Sequence, residues 1–103
     1  MNIAIDYDDT YTLDPNTWDI IITTLEKAGH EVYCVTKRYE ELADDIKAAL
    51  NIPIIFTPRG MSKLQATKLG GINIDVWVDD KPQSIIPYNQ RPGSRIPTGF
   101  ARW

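Results

Sequence analysis

Apolar residues recur along this chain in two rhythms that take turns. Short apolar runs over residues 2–7 (NIAIDY), 30–36 (HEVYCVT), 52–57 (IPIIFT) and 74–79 (IDVWVD) read as β-strands. Between them, apolar positions spaced by three and four predict helices. Trp18, Ile21, Ile22, Leu25 and Ala28 mark a helix over 15–28, with Asp14 as N-cap, Pro15 as first helical residue and Gly29 as its stop. Leu42, Ile46, Ala49 and Leu50 mark a second helix over 39–50, ended by Asn51 and Pro53. A third, weaker helix over 62–70 opens on Ser62.

Strands separated by helices pair in parallel, through right-handed crossovers. The expected fold is therefore α/β: a Rossmann-like, doubly wound parallel sheet of about four strands with helices on both faces. Residues 1–90 form the expected core. After residue 81 the pattern stops, and Pro82, Pro87, Pro92 and Pro97 recur with Gly93 and Gly99 among them. One short helix near 83–90 and an irregular Pro/Gly/Arg tail over 91–103 are expected. Phe100 and Trp103 in that tail are expected to pack on the body or on a second subunit, which makes a homo-oligomer one reading.

Composition narrows the class only modestly. A chain of 103 residues that is 43% hydrophobic suits a single domain with a small core. No apolar run approaches the roughly 18 residues of a membrane span. No basic segment leads into an apolar one at the start, so a cytoplasmic protein without a membrane partner is expected. The single cysteine, Cys34 in EVYCVT, has no internal disulfide partner and reads as a small buried hydrophobe. The net charge of −3 hides an asymmetry: residues 1–80 carry 14 acids against 7 bases, while 81–103 carry 4 bases and no acid. The plainer reading is a tail docked on its own acidic body. The sharper one is a contact with a phosphorylated polymer.

In an open parallel sheet the functional crevice lies beyond the carboxyl ends of the strands. There the first strand ends in Asp6, Asp8, Asp9 and Thr10, and the second in Thr36, Lys37 and Arg38. The third ends in Thr57, with Arg59 and Lys63 beyond, and the fourth in Asp79 and Asp80. Gathered carboxylates repel one another and, unneutralised, are driven to bind protons. Hard oxygen ligands at this density suit a hard divalent cation, Mg²⁺ before others, placed between carboxylates and a substrate phosphate.

Four motifs in order, over residues 3–80, resemble the haloacid dehalogenase superfamily, most of whose members are phosphohydrolases. They are IAIDYDDT, Thr36 closing YCVT, Lys63 in MSKL, and Asp79–Asp80 closing VWVDD. Thr and Lys are common, so the two acidic motifs carry most of the weight. The resemblance implies Asp6 as nucleophile forming an aspartyl-phosphate and Asp8 as general acid and base. It implies Mg²⁺ held by Asp6, the Asp8 backbone carbonyl and Asp79, with Asp80 acting nearby. Thr36 would donate to a phosphoryl oxygen, and Lys63 would balance the charge of Asp6 and the phosphoryl group. Lys68 is the alternative lysine. Lys63 is preferred because a cation at a helix N-terminus opposes the macrodipole and so asks for another reason to be there.

Asp9 stands where the family often has Gly and is given no catalytic role. Thr10 is expected to brace the loop through its backbone. Arg38 and Arg59, and similarly Lys81, are candidates to touch substrate or to pair with nearby acids. Tyr7 and Tyr11 flank the loop and are placed to stack on a base or sugar, with strand packing the alternative for Tyr7. His30 reads as a turn residue.

Only 25 residues separate Thr10 from Thr36, too few for the cap domain of larger members. The resemblance is therefore to small capless members, frequent in phage and bacterial genomes, whose open crevice admits large substrates. The implied function is a Mg²⁺-dependent phosphomonoesterase, with a nucleotide or a nucleic-acid phosphate end as first-choice substrate. One alternative is a regulatory or binding protein that keeps the motifs with little turnover. The other is a receiver-like phosphoacceptor module, disfavoured because its accepting Asp would end the third strand, where Thr57 stands.

Overall fold

The computed structural model of the chain describes residues 1–87. The tail over 91–103, its expected packing and the end of the expected helix near 83–90 lie outside the described residues. Four strands, β1 (Asn2–Ile5), β2 (Glu31–Thr36), β3 (Ile54–Phe56) and β4 (Val76–Val78), form one all-parallel sheet in the order β3-β2-β1-β4. Three helices connect them: α1 (Pro15–Lys27), α2 (Asp44–Ala49) and α3 (Lys63–Leu69). The connections β1 to β2 and β2 to β3 run one way along the sheet, and β3 to β4 runs back across it. With right-handed crossovers, α1 and α2 cover one face and α3 the other, which makes the sheet doubly wound. The β1–β2 connection holds only a 3-10 turn at Tyr11–Leu13 and α1, so no cap is inserted there.

Alternation along the strands divides the core. Ile3, Ile5, Val32 and Cys34 meet Ile22 of α1 and Ile46 of α2 in one cluster, with Trp18, Leu25 and Val78 packed at its edge. Tyr7 and Tyr11 belong to this cluster too, stacked on each other at 5.5 Å, with the Tyr11 hydroxyl donating to Asp19 Oδ1 at 2.7 Å. They are core residues, and neither is free to stack on a base or sugar. Cys34 is buried, and burial pushes its thiol up to about 12, so it stays protonated and packs as a hydrophobe.

Local chemistry sets the helix ends. The Asp14 side chain accepts from the Thr17 amide, Pro15 opens α1, and Gly29, at φ +91°, closes it. The Gly29 and His30 amides donate back to Glu26 O and Leu25 O, satisfying two last-turn carbonyls. The helix expected over 39–50 is instead a 3-10 turn at Glu40–Leu42, a break at Ala43 and the short α2. The reason lies in Arg38, whose Nη1 takes the Leu42 carbonyl at 3.1 Å, an acceptor that a continuous helix would need for itself. Leu42 and Ala49 are consequently exposed, and the buried stripe is Ala43, Ile46 and Leu50. The strands are also shorter than their apolar runs: β1, β3 and β4 stop before their runs end at the carboxyl rim, and β2, β3 and β4 start after theirs begin.

Candidate functional site

The acidic residues at the strand ends converge because the strands that carry them are neighbours. The Asp6 amide donates to Val78 O at 2.9 Å, which carries the β1–β4 pairing one step past the last strand residues. Asp6 and Asp79 therefore leave the sheet side by side. Both lie one residue beyond core-facing positions, Ile5 and Val78, so both turn toward the face covered by α3. Lys63, the first residue of α3, meets them there. Its Nζ donates to Asp6 Oδ1 at 2.9 Å and to Asp79 Oδ2 at 2.5 Å, and its side chain is almost fully buried. Lys68 lies exposed near the other end of α3, beside Trp77 and Ile86, away from this group.

One carboxylate oxygen each from Asp6, Asp79 and Asp80 lies within 4.8 Å of the others. The Thr10 hydroxyl stands between two of them, 3.4 Å from Asp6 Oδ2 and 3.4 Å from Asp80 Oδ1. Thr10 thus serves the cluster with its side chain rather than bracing the loop as a backbone bonder only. Burial pushes the Asp6 carboxyl up to about 6, Asp80 and Asp79 push the same way, and the Lys63 ammonium opposes them. Three carboxyl groups thus face the Lys63 ammonium, which bonds two of them. The donor set is all hard oxygen, and the pocket already stabilises one cation between Asp6 and Asp79. Asp6, Asp79 and Asp80 together could hold a hard divalent ion.

The acidic group forms part of an open cleft of about 220 Å³, lined by Asp6, Asp8, Thr36, Lys63 and Asp79 among others. Thr36 is buried, and its Oγ1 accepts from the Arg38 amide at 3.1 Å, which leaves the hydroxyl proton to donate. The Asp8 carboxylate stands apart from the triad. Arg38 grips it through Nε to Oδ2 at 3.0 Å and Nη2 to Oδ1 at 2.7 Å. The same guanidinium holds Asp45 and draws that carboxyl below the usual range. Of the two arginines singled out from sequence, Arg38 pairs with Asp8 inside the cleft and with Asp45 outside it. Arg59 is turned to the Tyr39 hydroxyl at 3.0 Å and is not among the lining residues.

Some contributors carry no signal in the sequence. Ser84, in a 3-10 turn at Pro82–Ser84, donates to Asp79 Oδ2 at 3.4 Å, and its only trace is proximity to the VDD motif, since a serine beyond a proline has many uses. Lys81, singled out from sequence, meets Asp79 Oδ1 through its backbone amide at 2.9 Å. Asp45, in the first turn of α2, is like Ser84 silent as a site residue until Arg38 is seen to reach it. Asp9 takes the left-handed conformation at φ +60°, a place where Gly is at ease and Asp is tolerated. No family model, no curated protein and no solved structure matches this chain.

Proposed function

We propose that this protein is a Mg²⁺-dependent phosphomonoesterase of the haloacid dehalogenase type, with Asp6 as its nucleophile. The observation that carries this reading is the buried Asp6 carboxylate at the carboxyl rim, bonded to a lysine that also bonds Asp79. A structural ion pair needs one acid. Here three converge with one buried cation at the place where α/β sheets bind their ligands. When bound, the divalent ion lowers the repulsion between Asp6 and the phosphoryl group.

In this reading an Asp6 oxygen attacks phosphorus as the bond from phosphorus to the leaving oxygen breaks. The leaving oxygen keeps that electron pair and takes a proton from the Asp8 carboxyl. Water then attacks the aspartyl-phosphate and gives its proton to Asp8. The bond between phosphorus and Asp6 breaks with its electron pair returning to the carboxylate, and phosphate leaves. Thr36 donates its hydroxyl to a phosphoryl oxygen, and Lys63 balances the charge that develops there. Among the described residues the cleft is open and no cap interrupts the fold, so a nucleotide or the phosphate end of a nucleic acid is the substrate class we favour.

The test is hydrolysis of p-nitrophenyl phosphate with Mg²⁺ and with EDTA, beside an Asp6→Asn variant. Metal-dependent turnover in the parent and none in the variant is the expected result. Turnover that survives in Asp6→Asn excludes the mechanism.

A further inference from the structure

Arg38 commits its guanidinium to two places at once. Nε and Nη2 form a two-pronged bond to the Asp8 carboxylate, at 3.0 and 2.7 Å. Nη1 is tied back to the Leu42 carbonyl at 3.1 Å and to Asp45 Oδ1 at 2.7 Å. Asp45 is exposed and belongs to the first turn of α2, so the arginine is anchored from outside the cleft while its fork points in. Its own amide is fixed to Thr36 Oγ1, and its guanidinium lies 5.8 Å from the centre of the Tyr7 ring.

Asp8 has no comparable support of its own. It follows β1 in a turn, its side chain is 47% exposed, and among the described residues only Arg38 bonds its carboxylate. A half-exposed carboxylate on a turn has several rotamers to choose from. Proton transfer demands one of them, held within hydrogen-bond reach of the reacting oxygen. A planar guanidinium fixes both carboxylate oxygens; its charge favours the ionised form, yet each oxygen keeps a lone pair through which a proton can pass. Four of the five guanidinium N–H groups are spent on Asp8, Asp45 and the Leu42 carbonyl, which leaves one at most for a phosphoryl oxygen.

We infer that Arg38 is a positioning residue: it aims Asp8 for proton transfer, with Asp45 and the Leu42 carbonyl holding it in place. This rests on the phosphomonoesterase reading above. The consequence is selective. An alkoxide leaves phosphorus poorly without a proton, whereas p-nitrophenolate leaves readily without one. Losing the aim of Asp8 therefore harms alkyl phosphates more than aryl ones. The β2–α2 loop thereby governs which leaving groups this small enzyme tolerates.

The experiment compares kcat/KM for glycerol phosphate and p-nitrophenyl phosphate in the parent, Arg38→Ala, Arg38→Lys and Asp45→Asn, with inorganic phosphate as competitive inhibitor. In Arg38→Ala the alkyl-to-aryl ratio is expected to fall about tenfold, a part of the roughly 10²–10⁴ that general acid catalysis supplies, since Asp8 itself remains. The inhibition constant for phosphate should stay within about twofold, a change too small for a lost phosphoryl contact. Arg38→Lys should recover little, since an ammonium cannot grip both oxygens. Asp45→Asn, altered at an exposed position, should shift the ratio the same way but less. An unchanged ratio with activity on both substrates falling together overturns the inference and makes Arg38 merely structural. A raised phosphate inhibition constant overturns it in favour of direct phosphate binding. An alkyl activity that rises overturns it by showing that the clamp restrains Asp8. If the parent hydrolyses neither substrate, or does so without Asp6, the phosphomonoesterase reading itself falls and takes this inference with it.

Discussion

Lys63 Nζ lies 2.9 Å from Asp6 Oδ1, and both side chains are buried. The lysine occupies the first residue of α3, where the helix dipole disfavours a cation by roughly 0.3–1 kcal/mol. Two carboxylates, Asp6 and Asp79, outweigh that cost. Removing the ammonium should therefore be felt twice. Lys63→Met leaves two buried carboxylates without their counter-ion, and breaking a buried pair from one side typically destabilises by about 3–5 kcal/mol. Urea denaturation in EDTA should show that loss, and added Mg²⁺ should restore part of it by binding the same carboxylates. Phosphatase activity should fall below detection in either condition. A variant as stable as the parent without metal would show that Lys63 is not the counter-ion.

Acidity offers a second handle. Asp6 has its carboxyl pushed up by burial to about 6 from an ordinary value of 3.8, so the folded chain binds this proton more tightly than the unfolded one. The stabilisation from protonated Asp6 is fully present below pH ~4 and disappears as pH rises through about 6. Metal-free stability should fall across that window by up to about 3 kcal/mol, the equivalent of a shift of roughly two units. Asp45, held low by Arg38, gives the opposite slope at lower pH, so the telling quantity is the parent minus Asp6→Asn. That difference should be flat above pH ~7 and should change between pH ~4 and ~6. Over the same range Mg²⁺ affinity should rise with pH, because the ion needs the carboxylate. Urea midpoints in EDTA and calorimetric Mg²⁺ titrations check the two halves separately.

Thr36 is the test of phosphoryl binding. It is buried at the end of β2, with its hydroxyl oxygen accepting from the Arg38 amide. Thr36→Val keeps the shape and removes the hydroxyl. A lost hydrogen bond to a charged group is worth about 1.5–3 kcal/mol, so kcat/KM for p-nitrophenyl phosphate should drop about 10- to 100-fold. The inhibition constant for inorganic phosphate should rise in parallel, in contrast to Arg38→Ala. If only stability changes, Thr36 serves the loop and not the substrate.

Much of this arrangement was legible in the chain, for identifiable reasons. Apolar runs and caps such as Asp14, Pro15 and Gly29 are local signals, and local signals placed four parallel strands and the first and third helices. The order of strand and helix then sent every acidic tip to one rim, which is how Asp6 and Asp79 could be joined across 73 positions of sequence. The misreadings come from contacts that no local pattern encodes. Arg38 captures the Leu42 carbonyl and splits the expected helix, Thr10 turns its hydroxyl to Asp6 and Asp80, and Tyr11 finds Asp19 and enters the core. Each is a side-chain choice made by the tertiary structure, and Arg59, which turned to Tyr39, is another.

The start of α3 couples stability to the site most directly. The Ser62 hydroxyl accepts from the Gln65 amide at 3.2 Å, while Gln65 Oε1 accepts from the Ser62 amide at 2.8 Å, a reciprocal cap immediately before Lys63. Ser62→Ala removes one half of it at a cost of about 1 kcal/mol. Because Lys63 is the next residue, fraying of that turn also loosens the ammonium from Asp6 and Asp79. The expected result is a modest fall in urea midpoint together with a several-fold loss of kcat. Gln65→Ala should do the same more weakly. The double variant should cost less than the two singles combined, since each single already opens the same box. Ser62→Asn, which keeps a capping oxygen, should recover most of both losses. Full activity in Ser62→Ala alongside reduced stability would separate the cap from the site.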